Sequence, residues 1–319
     1  MKIAFLDADT VDLEDVDLKA ITRQGRYQSL PRCPGNRIPK IVGDAQVLIT
    51  NKVILGPSEM QRFPELKLIC VAATGVNNVD LQAARKRGIG VANVAGYSTA
   101  TVVEHTLMFM LAWSHRLGEH HQAVREGRWS RSPYFTLLDY PFSDLAGKTL
   151  GIIGYGHIGS KVGRLARTLG MKVLPARLTR QPLKKNIKRY PLSQVIQKSD
   201  YLSLHCALSP LTQGLINRER LKSMKPTAYL LNLARGPVVV ERDVAWALEK
   251  KQIAGYATDV TEQEPIPRGH PFLKKSLQNK VLLSPHIAWA SRESRQRLVN
   301  EIALNIAAFK KGRKRNRLV

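Results

Sequence analysis

Short apolar runs recur along the chain, each closing on a polar or glycine-rich turn and most followed by a segment with helical spacing. Residues 3–6, 45–50, 66–71 and 89–94 have the β-branched, alternating character of strands. Between them, 58–63 carries a helix start signal and 79–87 reads as a helix stopped by Gly88. From residue 148 the alternation continues, with strands predicted at 150–153, 171–174, 201–205, 228–232, 254–259 and 281–284. Strands alternating with helices predict parallel sheets, because a crossover helix must lie over the sheet it connects. The chain is therefore expected to be α/β, with two Rossmann-like doubly wound parallel-sheet domains, 1–98 and 99–290. Helical residues at 291–311 follow the last strand and are expected to return to the first domain, which 291–319 completes.

The stretch 98–113 is a long helix with a Ser or Thr cap, apolar on most faces and expected to be buried where domains meet. Glu104 and His105 on it read as polar groups satisfied by neighbours.

One turn organises the second domain. The strand 150–153 runs into Gly154-Tyr155-Gly156-His157-Ile158-Gly159 and then into a helix, the context a dinucleotide fingerprint requires. Gly154 permits the tight turn, Gly156 lets backbone approach a pyrophosphate, and Gly159 lets helix and strand pack closely. Free N–H groups and the positive dipole end of the helix then face the phosphates. The residue ending the next strand normally selects the dinucleotide. Here it is Arg177, eighteen residues past Gly159, with Thr179 and Arg180 behind it and no carboxylate near. A guanidinium suits a 2′-phosphate, so NADP(H) is expected to be preferred, with NAD(H) possible.

Composition narrows the class. At 319 residues and 44% hydrophobic, the chain can build two domain cores. No apolar run approaches the ~20 residues of a membrane helix. Residues 1–6 are followed by Asp7 and Asp9 and read as a strand, not a signal peptide. Cys33, Cys70 and Cys206 are far apart and without CxxC spacing, which fits a reducing cytoplasm and neither a disulfide framework nor a zinc site. The net charge of +25 stands out. The basic residues are dispersed, the common nucleic-acid motifs are missing, and the densest cluster, 310–315, lies at the C-terminus. The charge is read as a solubilising surface that draws anionic substrate inward, with no specific nucleic acid or membrane partner.

Ligands of open parallel sheets bind beyond the C-terminal strand ends. Arg235 follows one such end, Asp259 the next, and Ser284-Pro285-His286 the last, with Glu264 five residues past Asp259. Arg235, Glu264 and His286 are expected on one rim. Together they suit oxidation of a 2-hydroxy acid. Arginine binds a carboxylate and polarises the adjacent carbonyl; histidine exchanges a proton with the carbonyl oxygen; glutamate favours the imidazolium. From spacing alone, Arg235 fits a structural ion pair as well, and Glu264 and His286 fit loop or cap residues.

Six motifs in order carry a resemblance: Ala72-Ala73-Thr74-Gly75-Val76-Asn77-Asn78-Val79-Asp80, Gly96-Tyr97-Ser98-Thr99, the glycine turn, Asn232 to Gly236, Thr258 to Pro265 and Ser284 to Ser291. Over nearly its whole length the sequence resembles the D-isomer-specific 2-hydroxyacid dehydrogenases, most closely the glycerate dehydrogenase and hydroxypyruvate (glyoxylate) reductase branch. The resemblance implies a flavodoxin-like substrate domain and an NAD(P)-binding domain. It implies catalysis by Arg235, Glu264 and His286, with Thr74 and Gly75 joining Arg235 and His286 at the substrate. It implies cofactor contacts from Gly154, Gly156, His157, Ile158, Gly159, Cys206, Ala207, Thr212, Leu233, Ala234, Asp259 and Ala288, with Asp259 on the nicotinamide carboxamide. It also implies a homodimer. Two departures from the family pattern are the missing acidic residue near Arg177 and Ala207 where proline is common. Another 2-keto acid reductase, such as a phosphoglycerate dehydrogenase, or a dinucleotide-sensing corepressor fits the same scaffold.

Overall fold

The computed structural model describes residues 1–31, 42–178 and 187–319. They form two compact units, Met1–Ser98 with Trp289–Val319, and Thr99–Ala288.

The first unit contains β1 (Lys2–Phe5), α1 (Lys19–Thr22), β2 (Arg26–Ser29), β3 (Val47–Thr50), α2 (Pro57–Gln61), β4 (Leu68–Val71), α3 (Leu81–Lys86) and β5 (Gly90–Ala92). The strands are parallel in the order β2-β1-β3-β4-β5, the flavodoxin-like order that switches direction between β1 and β3. Alternation assigns the two faces. Ile3 and Phe5 pack with Leu298, Val299 and Ile302 of the last helix, whereas Ala4 and Leu6 pack with Met60 and Ala84. Strand β2 is absent from the sequence expectation because Arg26-Tyr27-Gln28-Ser29 is an edge strand with no buried residue. At the switch point, the buried Asp7 carboxylate accepts hydrogen bonds from the backbone N–H groups of Asn51 (2.9 Å), Lys52 (2.6 Å) and Val53 (3.2 Å). Burial pushes this carboxyl above its usual range, against the pull of those three N–H groups.

The second unit runs α4 (Thr99–Ser114), α5 (Leu117–Arg125), β6 (Thr149–Ile153), α6 (His157–Thr168), β7 (Lys172–Arg177), β8 (Tyr190–Pro191), α7 (Leu192–Lys198), β9 (Tyr201–Leu204), α8 (Arg218–Lys222), β10 (Tyr229–Asn232), α9 (Glu241–Glu249), β11 (Gly255–Thr258) and β12 (Val281–Leu283). Helix α10 (Arg292–Lys310) is a single helix and belongs to the first unit. The seven strands are parallel in the order β12-β11-β10-β9-β6-β7-β8, the dinucleotide-fold order with one strand added beyond the sixth. The two-residue β8 is absent from the sequence expectation; Tyr190-Pro191 has no apolar run and pairs only at the sheet edge, with Ala176 and Arg177.

Helix α4 corrects one expectation. Val102, Val103, Phe109, Met110 and Trp113 are buried, but Met108 is 47% and Leu111 40% exposed, and Glu104 is exposed. An apolar helix here keeps one face open. The basic loop expected at 181–188 lies outside the described residues up to 186, as does Cys33; Cys70 and Cys206 are unpaired. Among the described residues no helix is long and apolar enough to cross a membrane, and no cluster of His, Cys, Asp and Glu could hold a metal ion.

Candidate active site

Register builds the site. Ile153 pairs with Leu204, Leu204 with Asn232, Asn232 with Thr258, and Thr258 with Leu283. These five residues stand in one row at the C-terminal edge of the sheet, spanning four strand spacings, roughly 19 Å. Each residue leads directly into a segment singled out from the sequence.

Strand β6 ends in the glycine turn. Gly154 has φ +95°, and a side chain there would strike the backbone of His205 and Cys206. A side chain on Gly159 would strike the Gly154 carbonyl oxygen, so α6 seats directly on the turn. By contrast, a side chain on Gly156 would meet nothing within 4 Å. The exposed Gly156 is also the N-cap of α6 and supplies no side-chain cap. That leaves the first-turn N–H groups directed at open space, the geometry that accepts a pyrophosphate. His157 is exposed and Ile158 half-buried beside it. These residues fit a dinucleotide.

The neighbouring strand ends add to the cradle. β7 ends at Arg177, and continuing its pairing from Ile152↔Pro175 brings Arg177 level with Gly154. Arg177 is exposed. Thr179 and Arg180 lie outside the described residues. Beyond β9, burial pushes the Cys206 thiol up to about 11 and His205 down to about 4, so both are uncharged at neutral pH. Ala207 is exposed, and its carbonyl accepts a hydrogen bond from the buried Thr212 hydroxyl at 2.7 Å. Thr212 also accepts from Ser209 N–H at 2.8 Å, which closes this loop.

Beyond β10, Asn232 shapes the turn that delivers Arg235. Its side chain accepts from Ala234 N–H (3.1 Å) and donates to the Arg235 carbonyl (3.0 Å). Leu233 and Ala234 are buried under the turn. Arg235 is half-buried and donates to the Ala234 carbonyl at 2.7 Å. Among the described residues it forms no ion pair, so nothing in the unit consumes its charge.

The structure joins Glu264 to His286. His286 Nδ1 lies 2.7 Å from Glu264 Oε2, and Glu264 Oε1 accepts from Thr261 N–H at 3.2 Å. His286 has φ +54°, a left-handed conformation uncommon for a residue with a side chain. Such conformations cost about 1–3 kcal/mol and persist where surroundings over-determine them. Asp259 does so here. The buried carboxylate accepts from Ile287 N–H and Ala288 N–H, both at 2.8 Å, and from Ser284 Oγ at 2.6 Å. Because Ser284 gives its proton to Asp259, its oxygen accepts from His105 Nε2 at 2.8 Å, which fixes the proton on that nitrogen. Burial holds His105 below its ordinary range, against the pull of Asp259, so it works as a neutral donor.

The sequence pattern assigns no role to Asn232 or Ser284, because each acts through a local turn or a partner far along the chain. In the first unit, Thr74 and Gly75 follow β4. The Thr74 hydroxyl donates to the Val94 carbonyl (3.0 Å), and Asn93 Nδ2 donates to the Thr74 carbonyl (2.7 Å). Among the described residues the backbone N–H groups of Thr74 and Gly75 have no hydrogen-bond acceptor in the protein.

Fold and site together define a dinucleotide-dependent dehydrogenase: a glycine turn at the switch point, with Glu264 and His286 in contact beyond the strand ends of the same sheet. Residues 107–288 match the D-isomer specific 2-hydroxyacid dehydrogenase, NAD binding domain. The chain is 36% identical over 317 residues to a hydroxypyruvate reductase of Blautia hydrogenotrophica, covering 98% of each protein. It is also 36% identical over 315 residues to a glycerate dehydrogenase of Methylorubrum extorquens, covering 99% of this chain and 98% of the relative. The crystal structure of the TT0316 protein from Thermus thermophilus superposes with a TM-score of 0.86 at 32% identity, over the whole of both chains. The chain belongs to the D-isomer-specific 2-hydroxyacid dehydrogenase family.

Proposed function

We propose that this protein reversibly reduces a small 2-keto acid, hydroxypyruvate or glyoxylate, to the D-2-hydroxy acid, D-glycerate or glycolate, and prefers NADP(H) to NAD(H). The observation that carries the reading is the Glu264–His286 pair at 2.7 Å, on the same row of strand ends as the glycine turn. The names of the two relatives support hydroxypyruvate and D-glycerate as the substrate pair.

A bound reduced dinucleotide would supply the hydride. The residues around it have separable tasks. Gly154, Gly156 and Gly159 admit the pyrophosphate to the N-terminus of α6. Asp259, already anchored by Ser284, Ile287 and Ala288, offers remaining lone pairs to the nicotinamide carboxamide. Arg235 binds the substrate carboxylate and polarises the carbonyl through its guanidinium. By the family resemblance Thr74 and Gly75 belong to substrate binding, and their backbone N–H groups suit a carboxylate. His286 gives its proton to the carbonyl oxygen as that oxygen gains charge, and takes it back in the oxidative direction. Glu264 orients the imidazole through its contact with Nδ1. Oxidation of NADPH by the purified protein in the presence of hydroxypyruvate tests the activity; a protein that binds NADPH yet consumes none with either hydroxypyruvate or glyoxylate would refute it.

We assign a homodimer as the working state. The support is that several large apolar side chains of α4 and the chain after it are exposed: Met108, Leu111, Leu117, Phe135 and Leu138, with Phe135 92% exposed. Side chains of this size suit burial against a second copy of the chain. Sedimentation equilibrium is expected to give twice the chain mass, and a monomer at micromolar concentration would exclude the assignment.

A further inference from the structure

Glu241 opens α9, where a carboxylate favours the positive end of the helix. Its side chain, however, is only 7% exposed, and a buried carboxylate requires hydrogen-bond partners. It has two, one on each oxygen. Oε1 accepts from the backbone N–H of Glu262 at 2.9 Å, and Oε2 lies 2.8 Å from His270 Nε2. His270 is itself 9% exposed. Its Nδ1 accepts from Phe272 N–H at 3.3 Å, so Nε2 carries the proton and donates to Glu241. The backbone N–H of Glu241 in turn reaches Glu262 Oε1 at 3.4 Å, which closes a reciprocal pair between helix and loop.

The clamped loop is the one that carries Glu264. Glu262 stands two residues before it, and Thr261 N–H holds Glu264 Oε1. The other side of the loop presses on the Arg235 turn. A side chain on Gly236 would fall 2.0 Å from the Thr261 carbonyl carbon and 2.4 Å from Glu262 N. The backbone of 261–262 is thus held between Gly236 and Glu241, with Arg235 one residue from the first contact.

We propose that Glu241 and His270 are positioning residues: their buried pair clamps the 261–264 loop and so sets where Glu264 meets His286. This rests on the reading of Glu264 and His286 as the acid–base pair. The pair holds the loop backbone at Glu262, two residues before Glu264, and acts through that loop.

The test uses the full chain with His270→Ala, Glu241→Ala and the conservative His270→Gln, whose amide nitrogen can stand in for Nε2. Hydrogen–deuterium exchange of the segment 261–266 is expected to accelerate in both alanine variants and to stay near wild type in His270→Gln. In hydroxypyruvate reduction, His270→Ala is expected to lower kcat by about ten- to a hundredfold, the scale of a displacement near 1 Å, with the dissociation constant for NADPH unchanged. On a Glu264→Gln background the same substitution should cost little more, because residues that act through one another are not additive. Unchanged exchange in His270→Ala, or an equal loss on both backgrounds, would overturn the clamp. Should Glu241→Ala not fold, the two His270 variants decide. Should wild type reduce no 2-keto acid, the assigned reaction fails, and the exchange measurement still judges the clamp by itself.

Discussion

His286→Asn is expected to lower kcat for hydroxypyruvate reduction by about 10²–10⁴-fold, the usual worth of a positioned general acid. Asparagine makes this a chemical test and not a folding one. His286 sits at φ +54°, and Asn is among the side-chain-bearing residues that most readily accept that conformation. The anchoring of Ile287 and Ala288 by Asp259 uses backbone N–H groups and survives the change. NADPH binding, measured by fluorescence titration, should therefore remain close to wild type. With Nδ1 held by Glu264, the transferable proton is carried on Nε2, and Asn has no group that takes up a proton near neutral pH. Glu264→Gln should act more gently, because the amide oxygen can still accept from Nδ1 and keep the ring oriented. A His286→Asn enzyme that kept more than about a tenth of the wild-type rate would show that another group supplies the proton.

Arg177→Asp is expected to reverse the choice of dinucleotide. Wild type should favour NADPH over NADH by at least about tenfold in kcat/KM, since charge-assisted hydrogen bonds contribute about 1.5–3 kcal/mol each. The argument rests on position. Arg177 ends β7, the strand beside the glycine turn, where an NAD-binding site places an acidic residue for the ribose 2′-hydroxyl. An Asp there would repel a 2′-phosphate and accept from the hydroxyl, so NADPH turnover should fall far more than NADH turnover. Parallel assays with both cofactors decide. Equal losses with the two, or a wild-type preference for NADH, would remove Arg177 from the recognition of the phosphate.

Local pattern carries much of this protein. The strands that meet the row at Ile153, Leu204, Asn232, Thr258 and Leu283 are apolar runs with turn signals behind them, so their ends, and the chemistry on those ends, are legible residue by residue. The glycine turn is legible for the same reason: Gly154 and Gly159 are demanded by close backbone contacts within the strand–turn–helix unit and its neighbour. Edge strands are not. β2 and β8 are short and polar, and their pairing is set by a neighbouring strand and not by any periodicity of their own. Helix α4 reads as buried because its composition is apolar, but composition does not say which face meets a partner; Met108 and Leu111 remain exposed.

The larger gap lies in partner choice. Ser284 and His105 are 179 residues apart, and Glu241 and His270 are 29 apart. No spacing rule links such residues, since the links depend on which strand ends are brought level by the register of the sheet. Residue order determines which side-chain types emerge behind which strand ends. Packing had to settle that Asp259 anchors the His286 segment, that His286 adopts a left-handed backbone, and that a buried Glu–His pair grips the loop of Glu264. The physical reason is that a residue's chemical type is local, whereas the burial and hydrogen-bond partners that set its role come from chain segments brought together by folding.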